Sequence, residues 1–228
     1  QTDQDTALLA FRAKEIDRLT GGAFDPTVYP VMRLWGFTDR NYQVPEEEAL
    51  QAAAATVNGE SLQIDGNTVS VAADQEMDRG VIAKGFTSAR VIDILRQHGI
   101  TSALINLGGN VQTLGSRPDG KPWTIGIRDP KGDSAEDLIG AVTAVDLAVI
   151  TSGGYERFFE EDGKTYIHIV DPKTGYPAEN DLASVTVVSP DGTLADGLST
   201  ALYVMGREKA AAFWKDHSDL FDCVLIDT

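Results

Sequence analysis

Short strand-like segments joined by tight turns restrict the fold of this chain more than any other feature. The residues on either side of Asp65-Gly66-Asn67 and of Asp162-Gly163 have strand-like composition. Asp, Asn and Gly are the residues that tight hairpin turns favour, so both sites predict antiparallel hairpins. Strands are predicted at 61–64, 68–72, 102–106, 123–128, 147–150, 155–159, 165–170, 184–189 and 224–226.

Helices are fewer than strands. Apolar residues recur at helical spacing before Gly21-Gly22, which is a typical C-terminal stop, and Pro45 followed by three glutamates is a typical helix start. Helices are predicted at 6–20, 46–57, 85–97, 196–204 and 208–215. The excess of strands predicts an α+β fold with largely antiparallel sheets and packed helices. The length of 228 residues suits one domain, or two small lobes around a shared core.

The charge balance excludes one class of partner. The chain carries 35 acidic and 19 basic residues, a net charge of −16. This surface repels a phosphate backbone, so nucleic-acid binding is not expected, although a divalent cation could offset the repulsion around a single phosphate ligand. No apolar run approaches the length of about 18 residues that a membrane span requires.

Three glycine-rich segments are candidates for ligand binding. Residues 78–85 lead into a helix and combine glycines with Lys84, which would suit a phosphate group. Residues 106–110 follow an apolar strand, and their paired glycines would let the backbone approach a ligand closely. Residues 151–157 place small hydroxyl groups and glycines at the end of a strand. Each segment alone is equally consistent with an ordinary turn or connection.

Two further segments carry polar side chains that could perform chemistry. His168 lies in an alternating strand just before the turn at Asp171-Pro172, where it is either structural or functional. Asp196 and Thr200 are spaced i and i+4 on a predicted helix, so both side chains share one face. Their oxygens suit Mg²⁺ or Ca²⁺, with the shell completed by a carbonyl, water and substrate phosphate. The alternative is that Asp196 caps the helix.

Taken together and in this order, the segments resemble the ApbE family, the FAD:protein FMN transferases. The resemblance covers nearly the whole chain, and five ordered motifs make it specific although no single motif is decisive. It is carried best by Gly22-Ala23-Phe24-Asp25-Pro26-Thr27 with Leu34-Trp35-Gly36-Phe37, and by residues 78–85, 166–175 and 196–202.

The resemblance implies two lobes around an FAD cleft within a single flavin transferase domain, residues 1–228. The metal site implied by it consists of the Val81 carbonyl, Asp196 and Thr200, with Ser199 as a further candidate ligand. Mg²⁺ is the expected ion, and Ca²⁺ stays open. The catalytic residues implied are His168, Asp196 and Lys84. The implied FAD contacts are Ala23, Phe24, Asp25, Asp78, Lys84, Gly108, Gly109, Asn110, Thr151, Ser152, Gly153, Tyr155, His168 and Val170.

The activity implied by the resemblance is metal-dependent transfer of FMN from FAD to a Thr or Ser hydroxyl of an acceptor protein, with release of AMP. Either His168 or Asp196 would accept the hydroxyl proton. Two alternatives stay open: a metal-dependent FAD pyrophosphatase that yields FMN and AMP, and a non-catalytic FAD-binding protein. Family acceptors carry a Ser/Thr-Gly-Ala-Thr-like segment that this sequence lacks, so the chain is expected to flavinylate other proteins.

Relatives in the family usually have more chain before the first helix, including residues that contact FAD. The resemblance therefore leads to the expectation that this chain lacks the family's N-terminal segment. It also implies an extracytoplasmic location, with a membrane anchor carried by that segment.

Overall fold

A five-stranded antiparallel sheet forms the centre of the molecule. The computed structural model describes residues 1–134 and 136–228. The central sheet has the order β11-β10-β7-β4-β3, and every neighbouring pair in it is antiparallel. Its strands are β3 (Ala103–Leu107), β4 (Asn110–Leu114), β7 (Ala148–Gly153), β10 (Leu182–Ser189) and β11 (Asp222–Asp227).

Three two-stranded antiparallel hairpins stand apart from this sheet. They are β1 (Gln63–Asp65) with β2 (Thr68–Ser70), β5 (Trp123–Arg128) with β6 (Leu138–Ala144), and β8 (Phe158–Glu161) with β9 (Lys164–Ile167). The two hairpins expected at Asp65-Gly66-Asn67 and Asp162-Gly163 are therefore present. Gly66 and Gly163 both have positive φ, which glycine adopts without strain.

Helices cover one side of the central sheet in two layers. The helices are α1 (Gln4–Thr20), α2 (Tyr29–Leu34), α3 (Glu47–Ala54), α4 (Ala83–Gln97) and α5 (Gly192–Asp216), with a short 3₁₀ turn at Gly59–Ser61. Helix α5 packs on β10 and β7, where Val185, Val187 and Leu198 are fully buried. Helix α4 also lies on the sheet, against β4 and β3, and both α1 and α4 contact α5 through a second apolar cluster that includes Ile16 and Ala201.

An aromatic cluster forms a separate packed region beside α2 and α3. Trp35 is completely buried and contacts the rings of Phe37, Phe159 and Tyr166. The indole N–H donates a hydrogen bond of 2.8 Å to the carbonyl of Gly175, so the polar atom of this buried ring is satisfied. The predicted α+β class with largely antiparallel sheets is confirmed, and none of the described helices is long and apolar enough to cross a membrane.

Helix α5 differs from the sequence prediction at its start. It begins at Gly192, and Asp191 is the N-cap that accepts a hydrogen bond from Leu194 N. Asp196 consequently lies inside the helix, and the alternative that it serves as a cap is wrong. The predicted break between two C-terminal helices is present at Gly206, whose φ of 74° and ψ of 167° are not helical.

Three elements were not predicted from the sequence: α2, β4 and β6. Helix α2 has only six residues, too few for a helical period to show. All five residues of β4 are buried, including Asn110, Gln112 and Thr113, so this strand shows no apolar–polar alternation. Strand β6 also lacks alternation, but for the opposite reason, since its first four residues are all exposed.

Asp17, near the end of α1, is a buried carboxyl group with an unusual pKa. Its side chain is 5% exposed. Burial, reinforced by the negative charges of Asp25 and Glu60, raises the pKa of Asp17 to about 7. An acid whose pKa rises on folding costs stability once the pH exceeds its unfolded value near 4, and the cost is complete above the folded pKa.

Asp17→Asn should therefore stabilise the protein in a pH-dependent way. At pH 8 we expect a gain in the free energy of unfolding of up to about 4 kcal/mol, because a shift of one pKa unit corresponds to about 1.4 kcal/mol. Near pH 4 the gain should vanish. Urea unfolding of both proteins at pH 4 and pH 8 measures this gain. An equal gain at the two pH values would show that it does not come from ionisation of Asp17.

Candidate functional site

A cavity of about 380 Å³ lies between the aromatic cluster and the layer formed by α4, α5 and the central sheet. Thirteen of the residues proposed from the sequence line it, although they come from widely separated segments. These residues are Ala23, Phe24, Asp25, Asp78, Val81, Lys84, Thr151, Ser152, Gly153, His168, Val170, Asp196 and Thr200.

The contact between α4 and α5 creates the most distinctive part of this cavity. The N–H of Gly85 donates a hydrogen bond of 2.8 Å to Asp196 Oδ2. In a regular helix this N–H would bond to the carbonyl four residues earlier, which is that of Val81. The Val81 carbonyl therefore has no backbone donor among the described residues, and it remains available to a ligand.

Three residues that offer oxygen donors of different type line the cavity here. Asp196 and Thr200 are one turn apart on α5, and Val81 precedes α4. The described ranges contain no group of three or more His, Cys, Asp or Glu residues that could hold a metal ion. One carboxylate with a hydroxyl and a free carbonyl suits a hard divalent cation that takes its other ligands from water and substrate phosphate. The residues present thus fit the metal site implied by the resemblance.

The environment of Asp196 favours a bound cation. Burial raises the pKa of Asp196, while the Gly85 N–H, Asn110 and the positive charge of Lys84 oppose this rise. A buried carboxylate lacking a full counter-charge is costly, and a divalent cation supplies that charge. Lys84 is exposed, lines the cavity and has no salt bridge among the described residues.

Ser199 and Asn110 support this site from behind. The Ser199 hydroxyl is fully buried, donates to the Asp196 carbonyl at 2.9 Å and lies 2.8 Å from Ser152 Oγ. It does not line the cavity, so the structure places it behind the proposed ligands. Asn110 is also buried and outside the lining. Its amide nitrogen has no hydrogen bond of good geometry, yet it lies near enough to Asp196 to lower the pKa of that carboxyl.

His168 presents a neutral imidazole to the cavity. Its Nδ1 lies 3.1 Å from the carbonyl oxygen of Arg157. A carbonyl only accepts, so Nδ1 carries the proton and Nε2 is left as a free acceptor. Burial and the positive charges of Arg157 and Lys84 lower the pKa of His168 to about 4. The ring is therefore uncharged at neutral pH.

Three other proposed FAD contacts lie outside the cavity lining. Gly108 and Gly109 form the turn between β3 and β4, both with positive φ, so the ordinary-turn interpretation describes their local structure. A methyl group on Gly109 would lie 3.9 Å from Glu156 Oε1, and Glu156 does line the cavity. The Tyr155 ring lies under the guanidinium of Arg128 at 5.2 Å.

Ten lining residues were not proposed individually as site residues from the sequence, although several of them lie inside the motifs quoted above. Arg157 adds a positive charge beside His168, and its position within the segment 151–157 was the only signal for it. The others mainly supply apolar surface near α2 and the turn after β9. They are Val28, Tyr29, Met32, Phe37, Thr38, Gly80, Glu156, Ile169 and Pro172.

Comparisons with known proteins show a family match over nearly the whole chain. The sequence model of the ApbE family matches residues 1–225. A FAD:protein FMN transferase of Klebsiella pneumoniae is 41% identical over 217 residues, which cover 94% of this chain and 66% of that protein. A FAD:protein FMN transferase of Treponema pallidum is 36% identical, covering 94% of this chain and 63% of the relative. The chain thus spans a little under two thirds of the length of these relatives.

Solved structures show the same fold. The crystal structure of the ApbE protein from Thermotoga maritima matches with a TM-score of 0.92 at 36% identity, covering 100% of this chain and 74% of the other. The flavin transferase ApbE from Vibrio cholerae matches with a TM-score of 0.84 at 35% identity, covering 98% and 75%. The family match, the sequence identity and the shared fold together show that this chain belongs to the ApbE family.

Proposed function

We propose that this chain transfers the FMN half of FAD to a Thr or Ser hydroxyl of an acceptor protein in a metal-dependent reaction that releases AMP. One observation carries the proposal. The Gly85 N–H donates to Asp196, so the Val81 carbonyl has no backbone donor among the described residues, and Val81, Asp196 and Thr200 all line the cavity. Relatives that share this fold are FAD:protein FMN transferases by name.

The metal site would be formed by Val81, Asp196 and Thr200. A divalent cation held by these residues would neutralise pyrophosphate charge and polarise the phosphorus that is attacked. Mg²⁺ fits this role because it usually retains several waters and takes few protein ligands, and Ca²⁺ shares the preference for oxygen. Ser152 Oγ, 3.3 Å from Thr200 Oγ1, orients the Thr200 hydroxyl.

The chain's own cations would bind the rest of the pyrophosphate. Lys84 and Arg157 line the same cavity and have no acidic partner there within salt-bridge distance. Fixed positive charges in a partly enclosed site stabilise the negative charge that develops on phosphate oxygens during transfer. This counter-charge is necessary in a chain with a net charge of −16.

In the reaction the acceptor hydroxyl oxygen bonds to the FMN-side phosphorus, and the bond from that phosphorus to the bridging oxygen breaks. AMP leaves with the bridging oxygen. We propose His168 as the group that accepts the hydroxyl proton, because the residue lines the cavity and its Nε2 has no hydrogen-bond partner among the described residues. Asp196 is the poorer base because a bound cation would lower the pKa of its carboxyl group.

The test is direct. The protein is incubated with FAD, Mg²⁺ and an acceptor fragment that contains Ser-Gly-Ala-Thr, and the intact mass of the fragment is measured. We expect a mass gain of one FMN moiety that depends on metal and is lost with a chelator. A fragment in which Ala replaces the Ser and Thr is the matched control.

Other outcomes would identify the alternatives. Metal-dependent release of free FMN and AMP without an adduct would make the protein a FAD pyrophosphatase. Bound FAD without turnover would make it a flavin-binding protein. Either result would contradict the proposed transfer.

A further inference from the structure

A second cavity, distinct from the one described above, opens beside the end of α1. It has a volume of about 460 Å³. Asp25 and Pro172 belong to the walls of both cavities, so the two are neighbours. We call it the Asp17 cavity. It is lined by Asp17, Arg18, Gly21, Gly22, Asp25, Ala54, Val57, Asn58, Gly59, Glu60, Pro172 and Lys173.

The Asp17 carboxylate is buried, faces this cavity and lacks a partner. Only 5% of the residue is exposed, and its side chain accepts no hydrogen bond from the residues that the structure describes. A methyl group on Gly59 would come within 2.3 Å of Asp17 Oδ2, and one on Gly22 within 3.9 Å of Oδ1. The carboxylate therefore sits between two glycines of the cavity wall.

The other acidic groups of the cavity already have partners. Asp25 accepts hydrogen bonds from Thr27 N at 2.7 Å, Thr27 Oγ1 at 2.6 Å and Gly59 N at 2.8 Å. Glu60 accepts two bonds of 2.8 Å from the guanidinium of Arg18. Asp17 is thus the one acidic side chain in this wall whose oxygens are left for a ligand.

We propose that the Asp17 cavity binds an organic cation through a primary ammonium or guanidinium group that pairs with Asp17. An ammonium or guanidinium group would donate the hydrogen bonds that the buried Asp17 carboxylate does not receive from the described residues. Ala54, Val57 and Pro172 supply apolar surface for the carbon chain that carries the charge.

Other ligand classes fit less well. A divalent metal would need several free oxygen ligands, and the oxygens of Asp25 and Glu60 already accept hydrogen bonds. An anion would lie against two buried carboxyl groups, Asp17 and Asp25. A cavity of about 460 Å³ also exceeds the size of a bare ion and suits an amine with several carbons.

The charged groups around Asp17 predict how binding depends on pH. Asp25 and Glu60 raise the pKa of Asp17 in addition to burial, while Arg18 and Lys14 on α1 oppose them. Lys173 lines the same cavity, where a methyl group on Gly22 would lie 3.8 Å from its Cε, and its charge repels an incoming cation. Asp17 must ionise to bind a cation, so affinity should rise from pH 6 to pH 8.

The experiment measures binding of butylguanidinium by calorimetry, without FAD, so that the result is independent of flavin transfer. We expect saturable binding to the wild-type protein, at least about tenfold weaker in Asp17→Asn and stronger in Lys173→Gln. Asp119→Asn, an exposed carboxylate elsewhere, is the control for general attraction to an acidic surface and should bind as wild type.

Two sources of such a cation are distinguished by a second titration. A neutral peptide carrying one arginine is compared with free butylguanidinium at pH 8. Tighter binding of the peptide indicates a basic side chain of a protein, and tighter binding of the free cation indicates a small molecule. Equal binding to wild type and Asp17→Asn, or no change in Lys173→Gln, would overturn the proposal. Lys173 is exposed, so that variant tests it even if the other misfolds.

Discussion

Asp196→Asn is expected to lower the rate of FMN transfer by about a hundredfold or more while leaving the fold intact. Asparagine keeps an oxygen that can accept the hydrogen bond from Gly85 N–H, now at 2.8 Å, but it loses the negative charge that would hold a divalent cation. The effect on rate follows from loss of a proposed direct metal ligand, since even outer partners of metal ligands typically affect metal affinity or activity by 10- to 100-fold.

Stability should change in the opposite direction. Burial raises the pKa of Asp196, so its ionised form costs folding free energy above the unfolded pKa near 4. Without metal at pH 7, Asp196→Asn should therefore be at least as stable as the wild-type protein in urea unfolding. Added Mg²⁺ should stabilise the wild type and have much less effect on the variant.

The matched control is Glu208→Gln, an exposed carboxylate farther along the same helix. It should keep both the transfer rate and the stabilisation by Mg²⁺. If Asp196→Asn retained full activity, or if added Mg²⁺ stabilised the variant as much as the wild type, the assignment of Asp196 to the metal would be wrong.

Gly85→Ala should cause the largest loss of stability among conservative substitutions near the site. The added methyl group would lie 2.2 Å from the carbonyl oxygen of Gly192 and 2.6 Å from Asp196 Cβ. Neither neighbour can turn aside, since one is backbone and the other is the first side-chain atom of a buried residue. Helices α4 and α5 would have to separate, and overpacking of this kind costs about 1–3 kcal/mol, sometimes more.

Urea unfolding of Gly85→Ala measures this cost, and the transfer assay should show reduced activity because the bond from Gly85 N to Asp196 is displaced. Gly140→Ala is the control. A methyl group there would have no neighbour within 4 Å, so stability should hardly change. A Gly85→Ala protein with wild-type stability would show that the helices can accommodate the methyl group.

Much of the fold could be predicted because local signals are strong where turns and helix ends are marked by specific residues. The hairpin at Asp162-Gly163, the helix stop at Gly21 and the break near Gly206 all rest on glycines with positive φ. Strand β4 was missed because its side chains face packed structure on both sides, so polar residues such as Gln112 bond inside the protein. Burial of that kind depends on distant segments.

The candidate site was predictable for a different reason. Asp196 and Thr200 have polar side chains one helical turn apart, and Lys84 is a positive charge beside glycines, so each pattern predicts a binding site. The structure places all three residues in the lining of one cavity. The free carbonyl of Val81 has no such signal in the sequence, because it depends on Gly85 bonding to another helix. The contact of Gly108 and Gly109 with FAD stays a prediction, as does the extracytoplasmic location.

The packing of α1 on α5 and the strand order β11-β10-β7-β4-β3 bear on how the protein reaches its folded state. Both features join segments that are far apart in sequence, and such long-range contacts slow folding because loops must close before apolar surface is buried. Val81 and Gly85 meet Asp196 only after this assembly. Stabilisation by metal would consequently be expected only in fully folded molecules. During refolding it would distinguish them from collapsed intermediates.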